Sequence, residues 1–376
     1  MDTSLPSILH AIDTTGPGGA ETVFLDLTEN LTLEGYRSFA VIKGPGWVED
    51  QLKARGIQYY IVKPKGSFSF SYYRKLFRII RENNVKLIQA HLLGSTLTYS
   101  IIALLLRIPL VATLHGKVDV NPNERLIFIK NLIMKLGVKR LIAVSRDLAN
   151  YIETRGLFNK GKIRVIYNGV DVKDYRKSNL NEIRLLLKLD KQAILVGSVG
   201  NIRPAKAYDV LIKAAKEVIT HNRNIHFVIA GHKKPELMQQ LEDLMDKVGV
   251  SQHVHFIGFQ QPSAAFFSQM DLFTLSSSSE GFSISTIEAM ATGLAAVVTC
   301  CGGPEEIITH KTTGWLVPVN DPQALASGIL TVLNDPNLQC SLAQKGQLHI
   351  TENFSLDFLI KQYQTLYEEL LVEAYQ

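Results

Sequence analysis

The sequence predicts an α/β protein made of two doubly wound, Rossmann-like units that face each other across an interdomain cleft. Two observations carry this reading. Short apolar runs alternate with longer amphipathic stretches in both halves of the chain, the pattern of parallel sheets covered by helices on both faces. The 376 residues also exceed what one hydrophobic core ordinarily serves. Ligands of such sheets bind beyond the C-terminal strand ends, so two facing units would enclose a deep cleft.

In the first half the strand candidates are SILHAI, SFAVIK, QYYIV, LIQAH, LVATLHG, LIAVS and IRVIYNG, with helical patterns at Ala20–Leu33 and Ser71–Asn83. Ser95–Leu114 is the most membrane-like stretch, but Arg107 and Pro109 split it into helix, turn and buried strand. In the second half the candidates are AILVGSVG, HFVIAG, VHFIGF, LFTLSS, AAVVTC and a short WLVPV, with helices at Asp209–Thr220 and Pro235–Val248 between them. The boundary is expected near Asp174–Asn181, which divides the chain into residues 1–176 and 177–354. A last helix, about Ser355–Ala374 within 355–376, would cover either unit and possible crossing to the first is part of the expectation.

Composition is ordinary for a globular protein, at 46% hydrophobic and 20% charged residues. Cys300, Cys301 and Cys340 form neither a disulfide framework nor a metal motif, and no other Cys/His cluster suggests a metal. A reducing cytoplasm fits such cysteine usage, and MDTSLPSILHAID lacks the basic start and apolar length of a signal peptide. Charge is asymmetric. Residues 1–180 hold 26 Lys+Arg against 15 Asp+Glu, a net of +11, whereas residues 181–376 carry −6. The first half should therefore face an anionic partner. No nucleic-acid-binding module is recognisable.

The most informative motif is EGFSISTIE, where Glu280 and Glu288 flank a strand–loop–helix junction. The first carboxylate falls in the loop and the second in the helix, which Ser283 or Ser285 would cap. The helix start between them offers unpaired N–H groups and positive dipole to a phosphate. Carboxylates on either side suit hydroxyls of a sugar and of a ribose. The structural alternative is a capping box, with Glu288 returning a bond to the helix start.

Other strand ends add candidates. Asp13-Thr-Thr-Gly16-Pro-Gly18-Gly19-Ala-Glu21 places glycines before a helix, where backbone can approach an anion; a plain turn is the alternative. Arg203 and Lys206, in GSVGNIRPAKAYD, suit a leaving diphosphate; the alternative is two solvated cations. His115 ends LVATLHG, where it could contact a transferred group or simply be structural. Gly231 and Gly258-Phe259 end strands where a base could lie. Asn168-Gly169-Val-Asp171 reads as an architectural turn. No Asp-x-Asp pair is present, so a site built on Arg203, Lys206 and a helix dipole has no evident need of a metal, and no cofactor is expected.

These motifs together resemble the retaining glycosyltransferases of family 4, the "glycosyl transferases group 1" class with the GT-B fold. The resemblance covers nearly the whole chain. It runs through the GGAE loop at 18–21, HG at 115–116, Ser145, NGVD at 168–171, the Arg/Lys loop at 200–206, AG at 230–231, Glu280 with Glu288, GLAAVVT, GGPEEII and TGWLV. It implies metal-independent, retaining transfer from a nucleotide sugar, with UDP favoured and GDP the alternative, to a glycan or lipid-pyrophosphate-linked acceptor of surface polysaccharide. The first domain would bind acceptor and the second donor.

By the same resemblance Arg203 and Lys206 would grip the diphosphate, Glu280 the donor sugar and Glu288 the ribose, with His115 beside the transferred sugar. The backbone of Gly18, Gly19, Gly281, Phe282, Ser283 and Ile284 would surround phosphate and sugar, with Gly231, Gly258 and Phe259 completing the donor site. Retention would proceed by same-face attack, a donor phosphate oxygen taking the acceptor proton, since no residue is an obvious covalent nucleophile. The chain departs from the family in carrying Asn201 where Arg is frequent, Ala207 where Gly follows the lysine, Gly-Phe-Ser after Glu280, and Ala295 in place of proline.

Phe70–Lys86 and Arg125–Arg140 interleave apolar residues with Arg74, Lys75, Arg78, Arg81, Lys130, Lys135 and Lys139. Such helices suit an anionic membrane surface on the cytoplasmic side; the structural alternative buries their apolar faces and leaves the charges in water. Two rival functions share the donor motifs, a GT-B epimerase or hydrolase of the sugar nucleotide and a non-catalytic sugar-nucleotide binder.

Overall fold

The computed structural model describes residues 6–64, 69–120, 127–177 and 180–375. The chain forms two compact units, Met1–Asn168 with Asp357–Gln376 and Gly169–Leu356. The division falls after Asn168 rather than after residue 176, because the next residues are held by the second unit. Val170 N–H donates to Phe354 O, the Leu356 N–H donates to Val170 O, and the Tyr175 hydroxyl donates to Glu288. Residues 178–179 of the expected linker lie outside the described residues.

Unit 1 is a parallel sheet in the order β3-β2-β1-β4-β5-β6-β7. Its strands are β1 Ser7–Ile12, β2 Arg37–Ile42, β3 Tyr59–Ile61, β4 Val85–His91, β5 Leu110–Leu114, β6 Arg140–Ala143 and β7 Ile163–Val165. Unit 2 follows the order β10-β9-β8-β11-β12-β13, with β8 Ile194–Val199, β9 Ile225–Ala230, β10 Val254–Gly258, β11 Leu272–Leu275, β12 Ala296–Thr299 and β13 Trp315–Val317. Each sequence run supplies one strand. Runs such as Leu110–Leu114 are buried at every position, as a sheet covered on both faces requires.

Strand order reverses direction between β1 and β4 in unit 1 and between β8 and β11 in unit 2. Loops leaving adjacent strands at such a point run to opposite faces of the sheet, so the strand ends between them are left open to a ligand.

The last helix, Leu356–Tyr375, lies on unit 1. Leu359, Tyr363, Leu366, Tyr367 and Leu370 are buried, an i, i+4, i+7, i+8, i+11 stripe. Its two tyrosines join a buried polar chain. Tyr367 donates to Gln89 Oε1 at 2.9 Å, Gln89 Nε2 donates to Thr113 Oγ1 at 2.8 Å, and the Thr113 hydroxyl meets that of Tyr363 at 2.9 Å. Buried groups joined this way lose their desolvation penalty only while every partner is present. Tyr367→Phe should therefore cost about 1–3 kcal/mol, read as a lower urea midpoint with the denaturant slope unchanged.

Candidate functional site

The second unit assembles its charged candidates at the switch point. The chain leaving β8 passes Arg203 and makes a 3₁₀ turn at Pro204–Lys206 before the helix Tyr208–His221. The chain leaving β11 carries Ser276, Ser277 and Ser278 to Glu280. Lys206 Nζ meets Glu280 Oε1 at 2.7 Å, with side chains only 9% and 13% exposed. Ser277 Oγ donates to the same oxygen at 2.7 Å.

Backbone contacts hold the two loops in register. Ser276 Oγ donates to Lys206 O, and Ser278 N–H donates to Ala205 O. The Glu280 N–H donates to Cys301 O, and Gly303 N–H to Glu280 O. Gly200 is glycine for a steric reason: a Cβ there would strike Lys206 Cε. A Cβ at Gly231 would likewise strike Gly200 O, so that glycine serves close packing of two strand ends. Ala207 follows the lysine in the left-handed region, at φ 46° and ψ 48°, the conformation that explains why glycine is usual there.

Arg203 is exposed, and its side chain makes no hydrogen bond or ion pair among the described residues. The two cations of the loop are thus in different states: Lys206 is buried and paired, and Arg203 extends into water.

The Glu288 Oε1 accepts from Tyr175 at 2.7 Å and from Ser263 at 3.0 Å, and the helix bounds leave Ser285 out of the N-cap position that a capping box with Glu288 would need. The helix runs Ile284–Ala291, with Ser283 at the N-cap and without a side-chain bond to its backbone; Ser285 is already inside it. Thr286 instead donates its hydroxyl to Ser283 Oγ at 2.8 Å. The Ser283 side chain therefore leaves the helix start uncapped, while the Thr286 and Ile287 N–H groups donate to Ser283 O. Phe282 is buried against Phe354, ring centroids 5.7 Å apart, so only its backbone remains to meet a ligand. Gly281 packs under the following loop, where a Cβ at Gly303 would come within 3.0 Å of Gly281 O.

At the ends of β9 and β10, Gly258 takes φ 81° and its carbonyl accepts from Gly231 N–H at 2.9 Å. This turn presents Phe259 to His232, the rings stacked at 4.6 Å with planes 13° apart. Phe259 is exposed, and His232 N–H is held by Asn201 Oδ1 at 3.0 Å.

The first unit gathers a different chemistry at its strand ends. Gly18 caps the helix Gly19–Leu33 in extended backbone, φ −177°, so left-handed freedom is not why it is glycine. Glu21 is buried against it, and a Cβ at Gly18 would strike that carboxylate. An anion approaching Gly18 and Gly19 would meet this negative charge, which suits a hydroxyl there better than a phosphate. Asp13 pairs with Lys43 at 3.3 Å.

His115 follows β5, and its N–H donates to Asp119 Oδ2 at 2.7 Å, joined by the Gly116 N–H at 3.1 Å. Burial holds the His115 imidazole neutral, its pKa down to about 3. Burial, with Asp13 and Glu21 nearby, pushes Asp119 up to about 6 against the pull of its two N–H donors. His115 Nε2 lies 3.1 Å from Nδ1 of the buried His91. Asp119 and His91 escaped the sequence reading. A polar residue ending an apolar strand signals His91, whereas Asp119 has only its proximity to the HG pair.

Two family models match the chain: Glycosyl transferases group 1 over residues 181–349 and Glycosyltransferase Family 4 over residues 17–174. The chain belongs to glycosyltransferase family 4. It is 28% identical over 269 residues to N-acetyl-alpha-D-glucosaminyl L-malate synthase of Bacillus anthracis, spanning 70% of this chain and 69% of that protein. It is 24% identical over 240 residues to the capsular polysaccharide biosynthesis glycosyltransferase CapM of Staphylococcus aureus, spanning 62% of each, less than two thirds of that relative. The crystal structure of Anabaena HepE in complex with UDP and glucose superposes with a TM-score of 0.89 at 21% identity, over 97% of this chain and 100% of that one. The fold of this family 4 member is accordingly GT-B.

Removing one member of a buried pair strands the other charge, at a cost of about 3 kcal/mol. Lys206→Met and Glu280→Ala should each destabilise unit 2 by roughly that amount. The double variant should lose clearly less than their sum, which urea denaturation of all four proteins would measure.

Proposed function

We propose that this family 4 member is a retaining hexosyltransferase that uses a nucleotide sugar, UDP-linked in preference to GDP-linked, without a metal in the chemistry. The carrying observation is the convergence of Lys206 and Glu280 from the two loops that flank the β8–β11 switch point. A buried ammonium near a helix start suits a diphosphate, and a fixed carboxylate suits sugar hydroxyls.

In this reading Arg203 closes on the outer phosphate and Lys206 on the inner one. Both then stabilise the charge that develops as the glycosidic bond breaks. Gly281, Phe282, Ser283 and Ile284 offer backbone to phosphate and sugar, and Glu288 binds the ribose. Gly231, Gly258 and Phe259 line the base, which would extend the Phe259–His232 stack. Unit 1 would bind acceptor, with His115 meeting a sugar hydroxyl and Gly18 and Gly19 close to the substrate. The acceptor hydroxyl would attack from the face the leaving group departs, its proton passing to a donor phosphate oxygen. Support for the donor comes from HepE, solved with UDP and glucose, and for a surface-glycan acceptor from CapM.

The acceptor reading extends to an anionic membrane. The helix Phe70–Glu82 buries Tyr72, Leu76, Ile79 and Ile80, the structural alternative for a basic amphipathic helix. The helix Ile127–Gly137 does the reverse; the residues at 121–126 that precede it, including the expected start at Arg125, lie outside the described residues. Phe128, Ile129, Leu132 and Leu136 are 54–87% exposed on it, while Met134 is buried and Gly137 packs on Ser100. It carries Lys130 and Lys135 and no acid. Seating these four side chains in a lipid interface would contribute about 1.5 kcal/mol each at the lower end, with about 1 kcal/mol for each nearby lysine over anionic lipid. No described helix is long and apolar enough to cross a membrane; the attachment proposed is a peripheral one through this helix, on the cytoplasmic face.

Three measurements test these readings. In a thermal-shift panel of nucleotide sugars, a UDP-sugar should raise the melting temperature most, and Glu280→Gln should abolish its transfer. Unchanged turnover in that variant would refute the role of Glu280. Donor consumption without any acceptor would favour the epimerase or hydrolase, and binding without turnover the inert binder. In liposome flotation, anionic vesicles should carry up the wild-type protein but not Phe128→Ser/Leu132→Ser; equal recovery with and without anionic lipid would sink the membrane reading.

A further inference from the structure

We propose that His91 is a positioning residue that fixes the tautomer and orientation of His115, so that His115 meets the substrate as a neutral Nδ1–H donor. The proposal rests on the reading that His115 faces the substrate.

His91 ends β4, and its backbone is in register with Thr113 of β5, two residues before His115. The two rings lie edge to edge, with centroids 5.4 Å apart and planes 21° from parallel, the spacing of one in-plane hydrogen bond between ring nitrogens. Phe24 closes the other side of His91 edge-on at 5.6 Å. His91 is fully buried; among the described residues its Nε2 has no hydrogen-bond partner, and its one side-chain bond runs from Nδ1 to His115 Nε2 at 3.1 Å. A buried imidazole with a single partner gains little for the fold, since the unpaired nitrogen keeps its desolvation cost. What the side chain does achieve is contact with His115.

Burial holds both rings neutral at ordinary pH, well below their usual range. Two neutral imidazoles sharing one hydrogen bond have two arrangements. If His115 Nε2–H donates, His91 must carry its proton on Nε2, leaving a buried N–H with no acceptor. If His91 Nδ1–H donates, its Nε2 is an unpaired lone pair. Orphaned buried N–H groups are the rarer case in proteins, so the second arrangement is favoured. His115 Nε2 then accepts, and its proton resides on Nδ1.

Asp119 complements this by holding the His115 and Gly116 N–H groups. The backbone is anchored at one point and the ring at another. His115 therefore presents a donor of fixed direction to a ligand oxygen, with no titration near neutral pH. The logic is that of any histidine whose second nitrogen is assigned by the hydrogen bond at the first.

The test uses the full chain labelled with ¹⁵N-histidine and long-range ¹H–¹⁵N correlation spectra, the His115 signals being assigned from a His115→Gln variant. Histidine in water favours the Nε2–H form, so the expected wild-type result, a protonated Nδ1 and an unprotonated Nε2, stands apart from the default. His91→Asn places an amide N–H where Nδ1–H was and should keep that pattern. His91→Leu, close in size and apolar, should return His115 to Nε2–H.

With the donor that the thermal-shift panel selects, the Leu variant should lose about tenfold or more in kcat while KM moves little, and the Asn variant should recover much of it. A wild-type His115 found as Nε2–H, or a tautomer unmoved in the Leu variant, overturns the proposal. Should the Leu variant fail to fold, the wild-type and Asn spectra still decide. Turnover unaffected by His115→Gln would instead remove the catalytic reading of His115 and leave the tautomer result standing.

Discussion

The buried pair of Lys206 and Glu280 is the constraint on which the second unit is organised. An ammonium and a carboxylate that are nearly removed from water must stay together, because either alone would carry an unpaid desolvation penalty of several kcal/mol. The loops after β8 and β11 therefore have to run side by side, and the surrounding details follow. Serines at 276, 277 and 278 bond to the opposite loop or to Glu280 itself. Gly200 lacks a side chain because the stem of Lys206 passes over it. Even Ala207, strained in the left-handed region, sits where the lysine loop must turn into its helix.

The first unit has the same topology at its switch point and the opposite electrostatics. Its net positive charge does not gather at the strand ends. There Asp13, paired with Lys43, and Glu21 lie within electrostatic reach of Asp119, beside imidazoles that burial holds neutral. The lysines and arginines are spread over the helices instead, two of them on the helix that turns its apolar face outward. Overall charge thus describes what the unit's surface can attract, and the strand-end residues describe what it can bind. The helix Leu356–Tyr375 secures this sheet through a buried chain of hydroxyl and amide groups.

Much of the fold was legible because the relevant signals are local. A run such as Leu110–Leu114 is apolar at every position since both its faces are buried, and Pro109 and Arg107 mark where the preceding helix must stop. Candidate residues at strand ends were legible for the same reason, since topology alone puts Lys206, Glu280 and His115 at that edge. What the letters left open were choices between equivalent local readings. Ser285-Thr-Ile-Glu288 fits a capping box as well as a ligand carboxylate, and it is Tyr175 and Ser263, from distant positions, that hold the Glu288 carboxylate. The unit boundary moved to Asn168 because Val170 is bonded to a segment nearly two hundred residues away in sequence, at Phe354 and Leu356.

By itself, then, the sequence determined the alternation of strands and helices, the doubling of the unit and the family, all of which follow from periodicity and from short motifs in order. Only the tertiary structure decided which charges pair, which histidine touches which, and which amphipathic helix hides its apolar face. Those outcomes depend on contacts between segments far apart in the chain. A hydrogen bond or a desolvated charge acts over a few ångströms, and sequence spacing carries no information about distance at that scale once the chain has folded back on itself.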